Sequence, residues 1–227
     1  DMLKKLFVLG YTYPLDIITP QHDTISLAQF EGVYSDVYHN FVTVNRAIIL
    51  HLQGNAAFVK VGNGTLQPYR ISAGVYEQTK LVIEDNVRPD RLSIGLNPGA
   101  QLFIGKDTTF AECNMIRATY LSNIFIDKDC IFSSNVFIYS GDGHNIYDSQ
   151  TGECINFTKT MIDTSKTTIH LRGHVWIGYE AVLLAGADIG AGSIVGARSM
   201  VKGKYSNNSV IVGSPAKTVK KNIGWTR

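Results

Sequence analysis

The sequence predicts an all-β fold, a parallel β-helix in which the chain winds as stacked three-sided coils, and two repeating features predict it. Aliphatic residues recur at every sixth position near the C-terminus, at Ile177, Leu183, Ile189, Val195 and Val201. A small residue stands four positions after each of the first four, at Ala181, Ala187, Ser193 and Ser199. A period of six fits neither an α-helix nor an alternating strand, whereas three six-residue faces close one coil. The aliphatic residues then point into the core, and the small residues lie beside the corners.

Glycine follows the same repeat. The chain has 21 Gly and only 6 Pro among its 227 residues, more glycine than the ~7% that is typical of soluble proteins. Gly178, Gly190 and Gly196 each follow an aliphatic position of the repeat. Because glycine adopts backbone conformations that other residues avoid, we predict that these glycines form tight corners of stacked coils rather than flexible loops.

The repeat continues upstream with breaks. Two further runs of apolar residues keep the spacing of six, at Ile104, Phe110 and Ile116 and at Ile126, Phe132 and Ile138. The pairs Ile94-Gly95 and Ile104-Gly105 are ten residues apart, which predicts a coil with an extended corner. An ordinary β-sandwich with chance spacing is the alternative, but five aliphatic positions with four small partners make chance a poor explanation.

Three other segments depart from the repeat. Residues 140–168 are polar and contain glycine, so they are predicted to project from the coils as a loop, and long loops in a compact domain tend to carry function. The first ~75 residues contain β-branched runs and Gly-Asn pairs such as Gly54-Asn55, which predict strands and hairpins. The chain is therefore divided into a β-rich N-terminal segment of unassigned role (1–78), a β-helix domain (79–213) and a short C-terminal tail (214–227).

Composition and charge exclude several classes of protein. Charged residues make up 18% and aromatic residues 10% of the chain, a balance that excludes extensive disorder. The net charge of +2 (21 − 19) is too small to predict a nucleic-acid partner. No apolar run approaches the roughly 20 residues of a membrane-spanning helix, so we expect no integral membrane segment. Three cysteines without a C-x-x-C motif argue against a disulfide framework and favour a reducing compartment, hence a cytoplasmic protein.

Specific motifs add a family resemblance over residues 80–227. The hexads, the run HVWIG (174–178) and the run VGSPAKTVK (212–220) together resemble the hexapeptide-repeat acyltransferases. The resemblance implies a left-handed coil, a hand that the spacing itself does not reveal. It also implies acetyl-CoA as the acetyl donor and assembly as a homotrimer.

Within that family the sequence is most similar to the polysaccharide and sialic-acid O-acetyltransferases. It carries D-x-H-x-I-x-D at 142–148, G-x-x-I-N at 152–156 and a W-x-R ending at 225–227. The resemblance implies transfer of acetyl to a hydroxyl of a bacterial capsular or lipopolysaccharide glycan. The expected partners are therefore acetyl-CoA and a carbohydrate acceptor, and no metal is expected.

His144 is the predicted general base, because a sugar hydroxyl is a weak nucleophile and an imidazole with a pKa of ~6.5 can take its proton. A carboxylate or carbonyl should hold the other ring nitrogen, and Asp142 and Asp148 are the local candidates. The resemblance places Trp176 at the active site, where its indole N–H could stabilise an oxyanion, as could backbone N–H groups. A plain surface histidine and an edge-packing tryptophan are the simpler interpretations.

A second set of residues is predicted to bind acetyl-CoA. Its members are Gly178, Gly196, Ala197, Lys202, Ser214, Pro215 and Lys217. The glycines and the alanine would form a flat wall for the pantetheine arm, the proline could pack on the adenine, and the lysines suit phosphate groups. A solvated basic tail explains at least half of the lysines at this end of the chain.

Three alternative functions stay open. The acceptor could be the amino group of an amino sugar or nucleotide sugar, which would make the chain an N-acetyltransferase. A zinc enzyme of the γ-carbonic-anhydrase type shares the prism fold and needs three histidines, for which His144, His170 and His174 are the candidates. The GSPAK motif and the lysines would have no use there. A non-catalytic binding module, finally, would tolerate the loss of His144.

Overall fold

Ladders of parallel strands form the structure, a computed structural model that describes residues 24–35, 41–53, 57–64, 71–156 and 164–227. Each complete coil contributes one short strand to each of three faces. Equivalent strands of successive coils then pair in parallel, as β5 (Lys80–Ile83) does with β8 (Gln101–Ile104). The predicted parallel β-helix is confirmed.

Face 1 is the first face that the chain forms in each coil. Its ladder begins on the N-terminal part of β2 (Phe41–Gln53) and keeps parallel register to the C-terminal coil. The strands of face 1 are β3 (Phe58–Val61), β5 (Lys80–Ile83), β8 (Gln101–Ile104), β11 (Asn123–Ile126), β14 (Ile169–Leu171), β17 (Asp188–Ile189) and β20 (Lys204–Tyr205).

Face 2 follows in each coil and forms a sheet of its own. Its parallel strands are β6 (Arg88–Pro89), β9 (Thr109–Phe110), β12 (Ile131–Phe132), β15 (Trp176–Ile177), β18 (Ile194–Val195) and β21 (Val210–Gly213). The final strand, β22 (Ala216–Lys220), turns back and pairs antiparallel with β21, so that the predicted tail begins as a hairpin on this sheet.

Face 3 completes each coil and is joined to face 1 through β2. The N-terminal half of β2 pairs with β3 and its C-terminal half pairs with β4, so this strand bends around the corner of the prism. β1 (Thr24–Ser35) pairs antiparallel with β2, and a single helical turn, α1 (Thr164–Thr167), precedes β14. The strands of face 3 are β4 (Ile71–Val75), β7 (Leu92–Leu96), β10 (Asn114–Ala118), β13 (Phe137–Tyr139), β16 (Val182–Leu184) and β19 (Met200–Val201).

The core is the interior of the prism, and the hexads fill it as predicted. All five aliphatic residues of the C-terminal repeat are fully buried, and their four small partners are at most 1% exposed. The upstream runs are buried as well, and the rings of Phe110 and Phe132 stack in successive coils with centroids 4.3 Å apart. Stacking therefore buries a continuous core that no single coil could bury alone.

The coils differ in length, which explains the breaks in the repeat. Ile177 and Val195 are stacked partners 18 residues apart (195 − 177), which is three faces of six. Ile104 and Ile126 are stacked partners 22 residues apart (126 − 104). The extra residues lie at corners, so the predicted extended corner is confirmed while the core register is kept.

The corners use left-handed backbone, mostly without glycine. The residue at the corner between faces 1 and 2 has φ between 55° and 70° in six successive coils, at Asn86, Asp107, Asp129, His174, Gly192 and Asn208. Gly178, by contrast, is not in the left-handed region; a Cβ on it would lie 2.6 Å from the backbone nitrogen of Ala197 in the next coil. The predicted reason for this glycine is therefore wrong, because the close approach of two coils requires it rather than an unusual φ.

The N-terminal region joins the same ladder. Gly54 and Asn55 lie outside the described residues, but the strands on either side of them, β2 and β3, pair in parallel, so the predicted hairpin there is wrong. The parallel ladder reaches upstream of residue 79, and the division into domains stays a prediction. Among the described residues, none of the helices is long and apolar enough to cross a membrane.

Candidate active site

The predicted loop (140–168) leaves the stack after β13, at the corner between faces 3 and 1, and its residues 141–156 form a small hairpin. Tyr147 and Cys154 make an isolated antiparallel bridge, and the amide of Ile155 donates to the carbonyl oxygen of Ile146 at 2.8 Å. Most of this segment is exposed. The loop motif is therefore a hairpin that stands away from the core.

Asp148 closes the tip of the hairpin. Its Oδ1 accepts hydrogen bonds from the amides of Gln150 at 2.9 Å and Thr151 at 2.8 Å. These backbone hydrogen bonds, that from Thr151 first, lower the pKa of the Asp148 carboxyl. The carboxylate thus shapes the turn, and no hydrogen bond joins it to His144 in the described part of the chain.

Asn156 clamps the base of the hairpin. Its Nδ2 donates to Asp142 Oδ2 at 3.0 Å and to the carbonyl oxygen of His144 at 2.7 Å. Its Oδ1 accepts from the amide of Ile146 at 2.7 Å. Asp142 therefore holds the shape of the loop in this chain, and among the described residues no hydrogen bond joins it to the His144 ring.

A close contact to face 3 fixes where His144 emerges. A Cβ on Gly143 would lie 2.5 Å from the Tyr139 hydroxyl, and Gly143 has a φ of +77°, so only glycine fits between the loop and β13. The next residue, His144, is exposed. The structure thus places His144 at the corner between faces 3 and 1, exposed to solvent.

Trp176 lies elsewhere, on the outer side of face 2. Its side chain is 40% exposed, and its Nε1 donates to Ser133 Oγ over a long 3.4 Å contact. The loop that carries His144 starts at the corner between the other two faces, which is the edge opposite face 2. Within one chain, the start of the His144 loop and Trp176 therefore lie on opposite sides of the prism.

A cluster that the sequence analysis missed lies beside Trp176, whose ring centroid is 6.2 Å from that of Trp225. His174 Nδ1 lies 2.7 Å from Asp129 Oδ2, and His174 Nε2 lies 3.0 Å from the carbonyl oxygen of Trp225. The rings of His174 and Trp225 stack with centroids 3.9 Å apart. Arg227 Nε donates to the second carboxylate oxygen of Asp129. The C-terminal W-x-R ending is thus docked on the corner between faces 1 and 2, and this group is called the tail clamp below.

Hydrogen bonds within the tail clamp shift the pKa values of His174 and Asp129. Both nitrogens of the His174 ring face acceptors, which only the protonated ring can satisfy, so the bond to the Trp225 carbonyl and then the Asp129 carboxylate raise the pKa of His174. Burial alone would raise the pKa of Asp129, but hydrogen bonds and charge from Arg227 and His174 outweigh it and lower that pKa. His174, Trp225 and Arg227 of the tail clamp belong to the HVWIG and W-x-R motifs of the sequence. The contact between His174 and Trp225 spans 51 residues, however, and no local pattern reveals it.

The residues predicted for acetyl-CoA lie at the C-terminal end of the stack. Gly178 is buried beneath the exposed Ala197 of the next coil, and Gly196 lies at the same corner, between faces 2 and 3. Ser214 and Pro215 form the exposed turn between β21 and β22. Lys202 follows face 3, and Lys217 lies on β22; both are exposed. The structure brings the glycine corner and the β21–β22 turn to one end of face 2.

The three histidines of the zinc alternative are held apart. His170 lies on face 1 with its Nε2 3.1 Å from Asp127 Oδ1, His174 belongs to the tail clamp, and His144 is on the loop. Within the ranges that the structure describes, no group of three His, Cys, Asp or Glu side chains could hold a metal ion.

Comparison with known proteins identifies relatives of this chain. A protein of Escherichia coli K12, named provisionally as a lipopolysaccharide biosynthesis O-acetyl transferase, is 32% identical over 101 residues, 44% of this chain and 52% of that protein. The polysialic acid O-acetyltransferase of Escherichia coli O1:K1 is 31% identical over 129 residues, 57% of this chain and 39% of that protein. The matched part of the chain thus spans about half the length of these curated relatives or less. No protein-family model matches the chain.

Solved structures agree with the fold. The crystal structure of the polysialic acid O-acetyltransferase OatWY superposes with a TM-score of 0.62 at 28% identity, covering 83% of this chain and 82% of that one. The match to left-handed β-helix acetyltransferase structures confirms the left-handed winding of the coils that the family resemblance implied. The chain therefore has the left-handed β-helix fold of hexapeptide-repeat acetyltransferase structures, and its sequence is similar to bacterial O-acetyltransferases named for polysialic acid and for lipopolysaccharide biosynthesis.

Proposed function

We propose that this protein transfers acetyl from acetyl-CoA to a hydroxyl group of a bacterial surface glycan, with His144 as the general base. The observation that carries the proposal is the hairpin that presents the exposed His144 side chain. Asn156 clamps this hairpin, and Gly143 packs it against Tyr139. The sequence of the chain is also similar to O-acetyltransferases. Because acetyl-CoA is made and used in the cytoplasm, the reaction is assigned there.

The imidazole performs the proton transfer. A neutral His144 ring accepts the hydroxyl proton as the sugar oxygen attacks the acetyl carbonyl, and the protonated ring can then give that proton to the departing thiolate. Acetyl-CoA supplies the activated thioester. In the free chain no described side chain holds the His144 ring, so the base is expected to gain an orienting partner on assembly or on substrate binding.

Trp176 is the proposed donor for the oxygen on which negative charge develops. Among the described residues its Nε1 makes only the long 3.4 Å contact to Ser133 Oγ, so the N–H can turn to a stronger acceptor at little cost. Since the loop of His144 starts at the edge opposite face 2, we propose that the two residues meet between neighbouring chains. The site is then completed by a second copy, in a homotrimer.

The residues at the end of face 2 fit acetyl-CoA. The exposed Ala197, with Gly196 beside it, offers backbone without bulky side chains, against which an extended arm can lie. Lys202 and Lys217 are exposed and make no ion pair with a carboxylate in the described part of the chain, so they are free to bind phosphate. Ser214 and Pro215, at the turn of the same hairpin, would contact the adenosine end.

Activity is tested with the purified chain, acetyl-CoA and a panel of acidic and neutral surface polysaccharides, following the release of free CoA thiol. His144→Ala should lower the rate about 10²- to 10⁴-fold, while Gln150→Ala, an exposed residue of the same hairpin, should leave it unchanged. Mild alkali should release the transferred acetyl, because esters are labile and the amides of an N-acetyltransferase are not. Wild-type turnover in His144→Ala would contradict the base assignment.

Shared sites are tested by mixing two inactive variants. His144→Ala and Trp176→Ala subunits, unfolded together and refolded, should recover activity at ~one quarter of the sites if each site takes one residue from each of two chains in a closed ring. Sites complete within one chain would give no recovery. Light scattering on the wild-type protein reports directly whether three chains associate.

A further inference from the structure

Arg117 is a half-buried cation on the outer side of face 3, and part of its hydrogen-bonding capacity is used. Its Nη1 donates to the carbonyl oxygens of Ser93 at 3.3 Å and Ile116 at 3.0 Å, and its Nη2 donates to Ser93 Oγ at 3.1 Å. These three bonds engage the end of the guanidinium that faces β7. The Nε–H and one N–H of Nη2, which lie side by side along the other edge, have no acceptor among the described residues.

Arg172 shows what such an edge ordinarily binds. Its Nε and Nη2 donate to the two carboxylate oxygens of Asp188 at 3.0 and 3.2 Å, the bidentate geometry that guanidinium and carboxylate share. Arg117 has the same pair of donors, but no carboxylate within the described ranges forms an ion pair with it. Burial lowers the pKa of Arg117, with no carboxylate opposing that effect. A partly buried cation without a paired anion loses hydration free energy, and binding an anion restores part of that loss.

Two glycines stand beside Arg117 on the side towards earlier coils. Arg117 stacks on Gly95, and Gly95 stacks on Gly74 in the coil before. A Cβ on Gly95 would lie 2.9 Å from Arg117 Cδ, whereas a Cβ on Gly74 would have no neighbour closer than 3.9 Å among the described residues. The first glycine lets the Arg117 side chain lie close to the strand, and the second carries no side chain that would cover the position one coil earlier.

Arg117 also lies beside the loop that carries His144. Its backbone carbonyl accepts a hydrogen bond from the amide of Ser140, the last residue of the stack before the loop. Its register partner in the next coil is Tyr139, whose hydroxyl packs on Gly143. The guanidinium is thus held on the face from which the catalytic hairpin emerges, and it is rigidly placed by β10.

We propose that Arg117 is a specificity-determining residue that binds the carboxylate of an acidic sugar in the acceptor glycan, through its Nε and Nη2 edge. The inference rests on the proposed function, which supplies the glycan. It adds the chemical class of the acceptor: a polymer that carries a carboxylate within reach of the hydroxyl that is acetylated. A neutral glycan would leave the cation unpaired and should bind more weakly.

The test compares one polymer in two forms. Polysialic acid and the same polymer with its carboxyl groups reduced to hydroxymethyl groups are offered to the wild-type protein, and KM for each is measured. The acidic polymer should have the lower KM, and Arg117→Gln should raise that KM about 10-fold, the loss of roughly one charge-assisted contact. KM for acetyl-CoA and for the reduced polymer should be unchanged. Arg117→Lys should give only partial recovery, because an ammonium cannot make the bidentate contact.

Two controls separate a binding role from a structural one. Arg91→Gln removes an exposed guanidinium on the preceding coil, with the same change in charge, and should have no effect on KM. Light scattering and thermal unfolding of Arg117→Gln should match the wild type. A variant that loses its oligomeric state would show that Arg117 pairs with a partner chain instead, which overturns the proposal.

Direct binding distinguishes this inference from the proposed function. Polymer binding to the His144→Ala protein is measured calorimetrically without acetyl-CoA, with and without Arg117→Gln. Binding that depends on Arg117, together with a wild-type protein that acetylates no glycan of the panel, would refute the enzyme assignment and keep the inference. Equal affinity of the wild-type protein for the acidic and the reduced polymer, or an unchanged affinity in Arg117→Gln, would refute the inference whether or not acetyl is transferred.

Discussion

Replacing Asp129 with Asn should loosen the tail clamp without unfolding the coils. The substitution removes the charge that faces both His174 and Arg227, while the stacked His174 and Trp225 rings stay in place. Asp129 and Arg227 are each about a third exposed, at 35% and 33% of the side chain, so we take a solvent-screened value of about 1 kcal/mol for the lost ion pairs. The population of undocked tail should then rise about fivefold.

The docking should also depend on pH, with a sign fixed by His174. Because the folded pKa of His174 is raised, its contribution is fully present below the unperturbed value of ~6.5 and is lost as pH rises through the raised folded pKa. Asp129 has a lowered folded pKa, so its contribution is present above ~3.9 and is lost as pH falls through the lowered value. The tail should be most firmly docked between those limits and should loosen as the pH rises through the raised pKa of His174.

Tryptophan fluorescence is a direct assay, because Trp176 and Trp225 are the two tryptophans of the chain and both lie at this site. A protonated imidazole stacked on an indole quenches it, so emission should increase as His174 loses its proton. The wild type should show a midpoint above pH 6.5, and Asp129→Asn should move that midpoint downwards.

Asp127→Asn is the matched control. Asp127 is two residues away and contacts His170 rather than the tail. If Asp127→Asn moves the midpoint as far as Asp129→Asn does, or if Asp129→Asn leaves it in place, the assignment of the raised pKa to the tail clamp is wrong. Titration of the His174 ring by NMR would then identify the group that the fluorescence reports.

Three further outcomes can be checked in parallel. Leu183→Ala should lower the free energy of unfolding by about 2–5 kcal/mol, because the side chain is fully buried. Met200→Ala, on the outer side of face 3, should lower it little. Chemical denaturation measures both variants. Gly178→Ala should destabilise by about 1–3 kcal/mol because the added Cβ meets the backbone of the next coil at 2.6 Å. Gly224→Ala should not, because a Cβ there has no neighbour within 4 Å among the described residues; equal melting temperatures of the two variants would contradict this. Asn156→Ala should lower kcat with an unchanged melting temperature, because it frees the hairpin and leaves the core intact; an unchanged kcat would show that the clamp does not position His144.

The hexads determine the core because they act locally. The inward direction of the Leu183 side chain depends on its own strand and on the two corners beside that strand. The six residues of one hexad determine both. The same holds for the loop at 140–168, since the loss of the aliphatic spacing there is itself the signal. The reason why glycine is required at position 178 cannot be read from the sequence. A sequence shows where glycine occurs, but not which neighbouring coil lies too close for a side chain.

The contacts between coils follow a different rule. Asp129 and His174 are 45 residues apart and meet because they occupy equivalent corners of successive coils, and Arg227 reaches Asp129 across 98 residues. Such a meeting depends on the length of every coil between them, and those lengths vary with corner insertions and with the projecting loop. The position of Trp176 on the face opposite the start of the His144 loop has the same origin.

The sequence by itself therefore determined the coil, the buried face of each hexad, the hairpin-bearing loop and the family-like motifs, because each is written in residues close together in the chain. Only the tertiary structure decided which residues of different coils touch: the tail clamp, the coil contact at Gly178, and the guanidinium of Arg117 resting on Gly95. The physical reason is that a six-residue period sets the direction of a side chain, while lateral partners are set by how many residues separate two stacked corners.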